Sequence, residues 1–354
     1  MIKANNGYNT LKSVIVGREL ELSKRMADIT FKVFYKENLG EKIYEDPKIV
    51  DYKINHKVLQ ERIQDLDNLA KTLEDLGVKV YRPEKLDKVV KINTPYFNTE
   101  LSSASNVRDL TFVYQNKLIE TPTFVRNRYF ENINMNDIFY DIWDKGKGGI
   151  WIKSPFQKLT EDTIDLEPWN KKRDFNNIPD NFEMAIDGAQ YMRINENECF
   201  VNISTYNHYL GHLWVKQHFP DVTFYEFYNL IDNHIDGAFN ILKDGVFLVN
   251  PKYSNLRDIM PEKFKDWTYL YPEDTTRKYD TSSTNINIQL ASERGMDINV
   301  LSVFPDTVIV SEDATGTIEI LEKNNFNAIP IQFRHSEIFA GGIHCSTLDL
   351  WREE

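Results

Sequence analysis

The sequence predicts an α/β fold built from five units, each with the order strand, strand, helix, strand. Pairs of short β-rich runs recur along the chain, and each pair is followed by a segment with helical spacing of apolar residues and then by one more strand. A chain of 354 residues with 41% hydrophobic and 27% charged side chains can also bury a large core. An ordinary α+β domain with many hairpins stays open as the alternative.

Four of the units lie between residues 110 and 333. In the first, strands at 110–114 and 117–121 flank a turn at Gln115-Asn116, and a helix at 134–145 and a strand at 149–152 follow. The other three units have the same order of strand, strand, helix and strand. The second unit has these elements at 191–194, 199–204, 207–219 and 222–227, and the third has them at 238–242, 246–250, 257–266 and 268–271. The fourth has them at 299–304, 307–311, 317–325 and 328–333. Asp244-Gly245 predicts a type I′ hairpin turn, since glycine readily takes a positive φ.

The fifth unit is assembled from both ends of the chain. It has a strand at 13–17, a long amphipathic helix at 58–76 that Gly77 ends, and a strand at 78–81. Residues 346–350 supply the missing hairpin partner. We therefore expect residues 1–354 to form a single domain that is closed by pairing of its N-terminal and C-terminal strands.

Composition and charge argue against several classes of function. The chain has 42 basic and 54 acidic residues, a formal net charge of −12, so it would repel nucleic acid. It has no apolar run long enough to cross a membrane and no signal or transit pattern at its start, which predicts a cytoplasmic protein without a membrane partner. No residues are spaced to bind a metal, and we expect no cofactor.

The two cysteines of the chain are too few for a disulfide scaffold and lack the spacing of a zinc site. Cys199 opens a β-rich run, where a buried structural thiol is expected. Cys345 follows Gly341-Gly342, which allow the backbone to bend tightly, and it lies between two polar residues. Cys345 is therefore the candidate nucleophile, with a structural thiol as the alternative.

Polar clusters precede the predicted units and supply the other groups that nucleophilic catalysis needs. These clusters are Arg108-Asp109, Ile186-Asp187-Gly188, Asn233-His234-Ile235-Asp236, Ala291-Ser292-Glu293 and residues 341–346. If the units surround one axis, the clusters converge and bring an imidazole and several carboxylates to the thiol. Asp109 and Asp236 could hold a planar guanidinium, which is best bound by two carboxylates. Taken singly, each residue also fits a turn, cap or packing role.

Several segments, taken in order, resemble the arginine:glycine amidinotransferase family. They are Ser13-Val14-Ile15-Val16-Gly17-Arg18, Arg108-Asp109-Leu110, Ile186-Asp187-Gly188-Ala189 with Arg193, His234-Ile235-Asp236-Gly237-Ala238-Phe239-Asn240, Asn299-Val300-Leu301 and Gly341-Gly342-Ile343-His344-Cys345. The resemblance implies the five-bladed α/β propeller of guanidino-group-modifying enzymes, with pseudo-fivefold symmetry. It also implies that Cys345 attacks the guanidinium carbon of L-arginine and that His234 protonates the departing L-ornithine. The amidino group would then pass from the cysteine to an acceptor amine in a ping-pong reaction.

The resemblance also implies roles for further residues. Asp187 would orient and charge His234, and Asp109 and Asp236 would hold the guanidinium. Ser292 corresponds to a substrate-contacting serine of the family.

Substrate recognition is matched by fewer residues. Arg193 corresponds to a family arginine that is structural or binds a carboxylate, while Lys252 or Arg257 is nearest to the basic residue that holds the donor's carboxylate. Asp232-Asn233 departs from the glycine-using members just before the catalytic histidine. We expect an acceptor larger or more cationic than glycine, beside Asn233, because Asp232 would favour a positive charge.

Two other functions stay open. A hydrolase of the same superfamily, an arginine deiminase or dihydrolase, would let water replace the acceptor amine. A non-catalytic guanidinium-binding protein would keep Asp109 and Asp236 and would have no use for Cys345. The expected partners are small-molecule substrates, and the sequence leaves a homodimer open.

Overall fold

The computed structural model describes residues 1–19, 24–27, 29–31, 50–144, 149–273 and 293–353. The strands are β1 (Leu11–Val16), β2 (Lys24–Ala27), β3 (Val50–Lys53), β4 (Lys79–Tyr81), β5 (Lys91–Asn93), β6 (Asn98–Glu100), β7 (Thr111–Tyr114), β8 (Lys117–Glu120), β9 (Ile150–Lys153), β10 (Tyr191–Asn195), β11 (Glu198–Ile203), β12 (Thr223–Tyr228), β13 (Phe239–Lys243), β14 (Val246–Val249), β15 (Thr268–Leu270), β16 (Leu301–Phe304), β17 (Thr307–Ser311), β18 (Asn327–Ile331) and β19 (Thr347–Arg352). The α-helices are α1 (His56–Asp75), α2 (Asn136–Asp144), α3 (Tyr206–Gln217), α4 (Leu256–Ile259), α5 (Glu293–Asp297) and α6 (Thr315–Lys323).

Five three-stranded sheets and two two-stranded sheets form in the described part of the chain. Four of the larger sheets have the orders β7-β8-β9, β10-β11-β12, β13-β14-β15 and β16-β17-β18. In each, the first two strands form an antiparallel hairpin and the third pairs in parallel with the second, with a helix between the parallel strands. The predicted ββαβ order is therefore confirmed.

The fifth three-stranded sheet contains both ends of the chain. β1 pairs antiparallel with β19, with Val14 opposite Asp349, and parallel with β4. α1 begins after Asn55, whose side chain accepts a hydrogen bond from the Lys57 backbone N–H. The apolar face of α1, including Leu66, packs against this sheet.

Hydrophobic clusters between neighbouring sheets arrange the five sheets in a ring. The cluster between the fifth and first units contains Ile15, Leu348, Val113 and Leu118, and that between the first and second contains Phe112, Ile119, Tyr191 and Val201. The cluster between the second and third units contains Ile194, Phe200, Phe239 and Phe247, and that between the third and fourth contains Leu242, Leu248, Val308 and Val310. The cluster between the fourth and fifth units contains Leu301, Ile309, Val14 and Val16. Each cluster joins side chains of two successive sheets, and the last joins the fourth unit to β1 of the fifth, which closes the ring. This arrangement agrees with the propeller that the resemblance implied.

The strands β7, β14 and β17 are almost wholly buried because each of them faces two neighbouring sheets. Successive side chains of a strand point to opposite faces. In β14, Phe247 packs toward one neighbouring sheet, while Leu248 packs toward the other. In β7, Phe112 and Val113 divide in the same way. A continuous apolar run is the pattern expected of a strand that is buried on both faces.

The Asp244-Gly245 turn differs from its prediction. Gly245 has a φ of 79°, but Asp244 is not among the described residues with positive φ. A type I′ turn needs positive φ at both positions, so that prediction is wrong. The pairing shifts between Ile241 and Lys243, as it does when a left-handed glycine follows a type I turn in a bulge.

Two predicted helices are shorter than expected. The 257–266 segment is divided into α4 and a 3₁₀ helix at Glu262–Phe264, because Pro261 between them cannot continue an α-helix. The segment before α2 is a separate 3₁₀ helix at Glu131–Met135. Among the described residues, no helix is both long and apolar enough to cross a membrane.

Candidate active site

The candidate site is built from residues that stand just before the first strand of each unit. Asp109 precedes β7, and Asp187 and His234 precede short 3₁₀ helices that lead into β10 and β13. Asn299 precedes β16, and Cys345 precedes β19. Because the units form a ring, the same position in each unit brings these five side chains to one region of the molecule.

Cys345 is buried and is held by its neighbour Asn299 on two sides. The Cys345 backbone N–H donates to Asn299 Oδ1 at 3.1 Å, and Asn299 Nδ2 donates to Cys345 Sγ at 3.2 Å. The same sulfur lies 3.4 Å from Asp236 Oδ2. Burial, followed by the charges of Asp236 and Asp109, raises the pKa of the Cys345 thiol well above its usual value, although the Asn299 hydrogen bond opposes this. The thiol is therefore protonated at neutral pH in the free protein.

His234 lies between two carboxylates. Its Nε2 is 3.1 Å from Asp187 Oδ2, and its Nδ1 is 3.6 Å from Asp109 Oδ1. Burial alone would lower the pKa of His234, but Asp109, Asp187 and Asp236 outweigh it and raise the pKa to about 9. The imidazole is thus a charged acid at neutral pH, ready to donate a proton.

Asp187 is buried at the start of its 3₁₀ helix. Its backbone N–H donates to Gln190 Oε1 at 2.9 Å. Burial favours the neutral acid, but the hydrogen bond and charge of His234 outweigh it, so the pKa of Asp187 is lowered. Gly188 follows because a Cβ there would lie 2.6 Å from the Thr111 carbonyl oxygen. Because Gly188 has no side chain, this part of the second unit can pack directly against the Thr111 backbone of the first unit, beside the site.

Asp109 is held by a buried arginine. Arg128 Nη1 donates to Asp109 Oδ2 at 2.6 Å, while its Nε and Nη2 donate to the two carboxylate oxygens of Glu131, each at 2.9 Å. Burial raises the pKa of Asp109, and the charges of His234 and Arg128 oppose this. Arg128 therefore fixes the carboxylate through one oxygen and leaves Oδ1 on the side of His234.

Asp236 is fixed by His344 and Asn299. His344 Nδ1 lies 2.7 Å from Asp236 Oδ2, and Asn299 Nδ2 lies 3.1 Å from the same oxygen. Burial would raise the pKa of Asp236, but the His344 hydrogen bond and the positive charges nearby, including His234, lower it to about 2. Burial and then the charge of Arg108 lower the pKa of His344. A neutral His344 therefore donates from Nδ1 to an ionised Asp236.

Three buried oxygens of the site have no hydrogen-bond partner among the described residues. They are Oδ1 of Asp109, Oδ1 of Asp187 and Oδ1 of Asn233. Asn233 belongs to the same group because its Nδ2 lies 3.5 Å from Asp187 Oδ2. Buried acceptors are normally satisfied. A ligand with several N–H donors is the chemical complement of this site.

The structure thus brings together Cys345, His234, Asp187, Asp109, Asp236 and Asn233. Ser292 lies outside the described residues. Cys199 is completely buried in a cluster between two sheets, which fits the structural role expected of it.

Arg193 does not join this group. Its Nη2 forms a buried ion pair with Asp349 at 2.6 Å, and its Nη1 donates to the Val113 carbonyl oxygen at 2.9 Å. The expectation that Arg193 binds substrate therefore receives no support from its described contacts, which are structural. Arg257 is also engaged elsewhere, with its guanidinium 4.6 Å from the centre of the Tyr269 ring.

Sequence reasoning missed three residues of the site, namely Asn299, His344 and Arg128. Asn299 had a detectable signal, since it stands before β16 as the other site residues stand before their strands. Arg128 had none, because its contact with Asp109 depends on the path of a 3₁₀ helix.

Gly341 and Gly342, which precede Cys345, do not form the tight bend that the sequence predicted. Neither Gly341 nor Gly342 is among the described residues with positive φ. A Cβ on Gly342 would instead lie 2.7 Å from Asn299 Oδ1. Glycine is required here because the chain passes directly over the side chain that holds the thiol.

The described residues contain no group of three or more histidine, cysteine, aspartate or glutamate side chains that could hold a metal ion. The reactive groups of the candidate site are its thiol, imidazole and carboxylates.

Known proteins resemble the chain over nearly its whole length. No protein-family model matches it. It is 28% identical to inosamine-phosphate amidinotransferase 1 of Streptomyces griseus, over 99% of this chain and 97% of that protein. It is 29% identical to the mitochondrial glycine amidinotransferase of Xenopus laevis, over 98% of this chain and 82% of that protein. The solved inosamine-phosphate amidinotransferase of Streptomyces griseus has a TM-score of 0.83 with this chain at 26% identity, covering 100% of this chain and 97% of the other. The chain therefore resembles amidinotransferases in sequence and in fold over nearly its whole length.

Hydrolases of similar fold are less similar to this chain. A solved dimethylarginine dimethylaminohydrolase matches it with a TM-score of 0.54 at 11% identity, covering 96% of this chain and 99% of the other. A likeness of that size concerns the fold alone. The similarity to amidinotransferases supports an enzyme that acts as a transferase.

Proposed function

We propose that this protein is an amidinotransferase that moves the amidino group of L-arginine to an acceptor amine and releases L-ornithine. Cys345 is the nucleophile, His234 is the general acid and base, and Asp187 orients the imidazole. The observation that carries the proposal is the set of buried acceptor oxygens beside the thiol, of which Oδ1 of Asp109 and Oδ1 of Asp187 have no partner among the described residues. A guanidinium presents five N–H donors and one positive charge to such a set.

Binding of the donor would activate the nucleophile. Burial and the charges of Asp236 and Asp109 keep the pKa of Cys345 high. A guanidinium held by these two carboxylates would neutralise their effect and favour the thiolate, which is the reactive form. The thiol would therefore become nucleophilic when the donor is in place, with its proton released to solvent.

In the first half of the reaction, the Cys345 thiolate forms a bond to the guanidinium carbon. The bond from that carbon to the ornithine nitrogen breaks, and the imidazolium of His234 donates its proton to the departing amine. The ring nitrogen that does not face Asp187 is the one available for this transfer. L-Ornithine leaves, and an amidino group remains on the sulfur. Proton transfer of this kind contributes about 10²–10⁴-fold to a rate.

In the second half, His234 is neutral and accepts a proton from the acceptor amine. The amine nitrogen bonds to the amidino carbon, the carbon–sulfur bond breaks, and the electron pair returns to Cys345 as thiolate. His234 is charged again, and Cys345 takes up a proton from solvent as the product leaves, which restores the free enzyme. Water in place of the amine would release urea from the amidino-cysteine, whereas a deiminase would expel ammonia instead of ornithine in the first half and then release citrulline; these are the hydrolase alternatives.

The acceptor is proposed to be larger or more cationic than glycine. Asn233 donates its backbone N–H to Asp232 Oδ1 at 2.9 Å and places its own side chain against Asp187. Asp232 is close enough to Tyr253 that, after burial, its charge contributes to raising the pKa of that phenol. A carboxylate in this position favours an acceptor with a positive charge. The relatives act on different amines, since one is named for inosamine phosphate and another for glycine.

The proposal is tested by the products formed from L-arginine, with and without a panel of amines. The panel contains glycine, diamines, amino acids and aminocyclitols. We expect ornithine to be formed over many turnovers only when an amine is present. Without an amine we expect at most one equivalent of ornithine per enzyme and a mass increase of one amidino group on Cys345, and Cys345→Ala should give no reaction. Cys199→Ala is the matched control and should retain activity.

Two outcomes would overturn parts of the proposal. Citrulline or urea formed without an amine would make the chain a hydrolase. A higher kcat/KM with glycine than with any other acceptor would exclude the role given to Asp232.

A further inference from the structure

We propose that a central cavity next to the active site binds a small monovalent inorganic anion, such as chloride, between Arg108 and Arg193. The polar side chains that line this cavity are Arg108, Arg193, Asn240, Ser302 and His344. They belong to the first strand of several units or stand just before it, which places the cavity at the centre of the ring.

The cavity is separate from the proposed catalytic groups. Its lining does not include Asp109, Asp187, His234, Asp236 or Cys345. His344 is the link between the two regions, since it lines the cavity and its Nδ1 contacts Asp236. An anion here would therefore be neither the amidino donor nor the acceptor.

Positive charge exceeds negative charge around this cavity. The buried carboxylate of Asp349 receives three guanidinium groups, from Arg108 at 2.8 Å, Arg193 at 2.6 Å and Arg352 at 2.8 Å. All three arginines are buried as well. The negative charge of Asp236 also acts on this region. Three guanidinium groups thus stand against two carboxylates, those of Asp349 and Asp236, which leaves one positive charge in excess around the cavity. An uncompensated buried charge is costly.

Two of the three arginines have donors to spare. The described bonds of Arg108 use Nε, to the His344 carbonyl oxygen, and Nη2, to Asp349. Those of Arg193 use Nη1 and Nη2. Within the described residues, no hydrogen bond reaches Nη1 of Arg108 or Nε of Arg193. Arg352, by contrast, uses all three nitrogens and does not line the cavity.

The remaining walls restrict the kind of anion. Met192, Ile241, Leu242 and Val300 also line the cavity, which has room for only a few water-sized particles. A small anion of low hydration fits such a space, because it gives up little hydration and gains two guanidinium partners. Chloride and bromide meet this description, whereas a bulky carboxylate such as gluconate does not.

The first test is the thermal unfolding midpoint of the full chain at constant sodium concentration, with chloride replaced stepwise by gluconate. We expect chloride to raise the midpoint saturably, by about 2–3 °C at ten times its dissociation constant. Arg193→Gln should lose this chloride dependence. Arg352→Lys is the matched control, because it alters another of the three ion pairs to Asp349 but keeps the positive charge, and it should retain the dependence.

The second test locates the anion directly and needs no variant. Crystals of the wild-type chain grown in bromide should show an anomalous peak between the Arg108 and Arg193 guanidinium groups. Equal midpoints in chloride and gluconate, an unchanged chloride dependence in Arg193→Gln, or the absence of a bromide peak in the cavity would each overturn the proposal.

Discussion

Asn299 Nδ2 lies 3.2 Å from Cys345 Sγ, so the side-chain amide of one unit donates a hydrogen bond to the thiol of the next. The same nitrogen is 3.1 Å from Asp236 Oδ2, and Asn299 Oδ1 accepts from the Cys345 backbone N–H at 3.1 Å. One side chain therefore sets the position of both the proposed nucleophile and a carboxylate proposed to bind the donor. It also opposes the burial that raises the pKa of the thiol.

Asn299→Ala should raise the pKa of Cys345 further and lower kcat/KM. Loss of a hydrogen bond to a thiolate is expected to cost roughly 10- to 100-fold. The measurement is the rate of alkylation of Cys345 by iodoacetamide against pH, read by mass spectrometry of the cysteine peptides. The alkylation profile should move to higher pH in the variant.

Asn207→Ala is the matched control for this prediction. Asn207 is a buried asparagine whose Nδ2 donates to the carbonyl oxygens of Thr163 and Glu183, and its described bonds do not reach the thiol or Asp236. Its alkylation profile should match the wild type. If both variants give the wild-type profile, Asn299 does not stabilise the thiolate.

The pKa of His234 predicts a specific loss of stability at alkaline pH. The group titrates near 6.5 in the unfolded chain and at about 9 in the folded one. A raised folded pKa means that the stabilisation is complete below pH 6.5 and is lost as the pH rises through 9. At about 1.4 kcal/mol per pKa unit, the loss is on the order of 3 kcal/mol.

Urea unfolding at pH 6.5 and pH 9 measures this effect, with His234→Gln as the reference. Other groups titrate in both proteins, so the difference between the two curves isolates the histidine. The wild type should lose more free energy of unfolding between these pH values than His234→Gln does. Parallel losses would show that the carboxylates do not hold the imidazolium.

Gly342→Ala should reduce activity by displacing Asn299. A Cβ at Gly342 would lie 2.7 Å from Asn299 Oδ1, and the amide must move to make room. We expect a loss of about 1–3 kcal/mol in stability, as for other overpacked sites, and a lower kcat. Gly7→Ala is the control, since a Cβ there meets nothing within 4 Å. Equal kcat values in the two variants would contradict this account.

The order of elements was predictable from the sequence because the hairpin strands of each unit are mostly apolar. Runs such as 238–242 and 246–250 contain a single polar residue each, Asn240 and Asn250, and turn residues separate them, so their lengths identify them as strands. The exact turn at Gly245 was not predictable, because it depends on the shifted pairing between Ile241 and Lys243.

The site was predictable where residue type alone limits the chemistry, as for Cys345 and His234. Positioning residues were harder to find. Asn299 and Arg128 are common residue types, and their importance comes from contacts with Cys345 and Asp109 that are distant in sequence. The described contacts of Arg193 are structural, because the guanidinium chemistry that could bind a substrate carboxylate here binds the buried carboxylate of Asp349.

Arg128 is expected to act as a positioning residue, because it holds the carboxylate of Asp109. Arg128→Gln removes the 2.6 Å ion pair and leaves a buried carboxylate whose pKa is already raised by burial. The pKa of Asp109 should then rise further, and a protonated Asp109 would lose its attraction for the guanidinium. Breaking a buried pair typically costs about 3–5 kcal/mol, so the free energy of unfolding should also fall.

A purely structural role would lower the amount of folded enzyme without changing its kinetics. A positioning role predicts a higher KM for the donor, an acceptor KM close to wild type, and partial rescue by Arg128→Lys. Donor and acceptor KM values that rise together in Arg128→Gln would rule out this role.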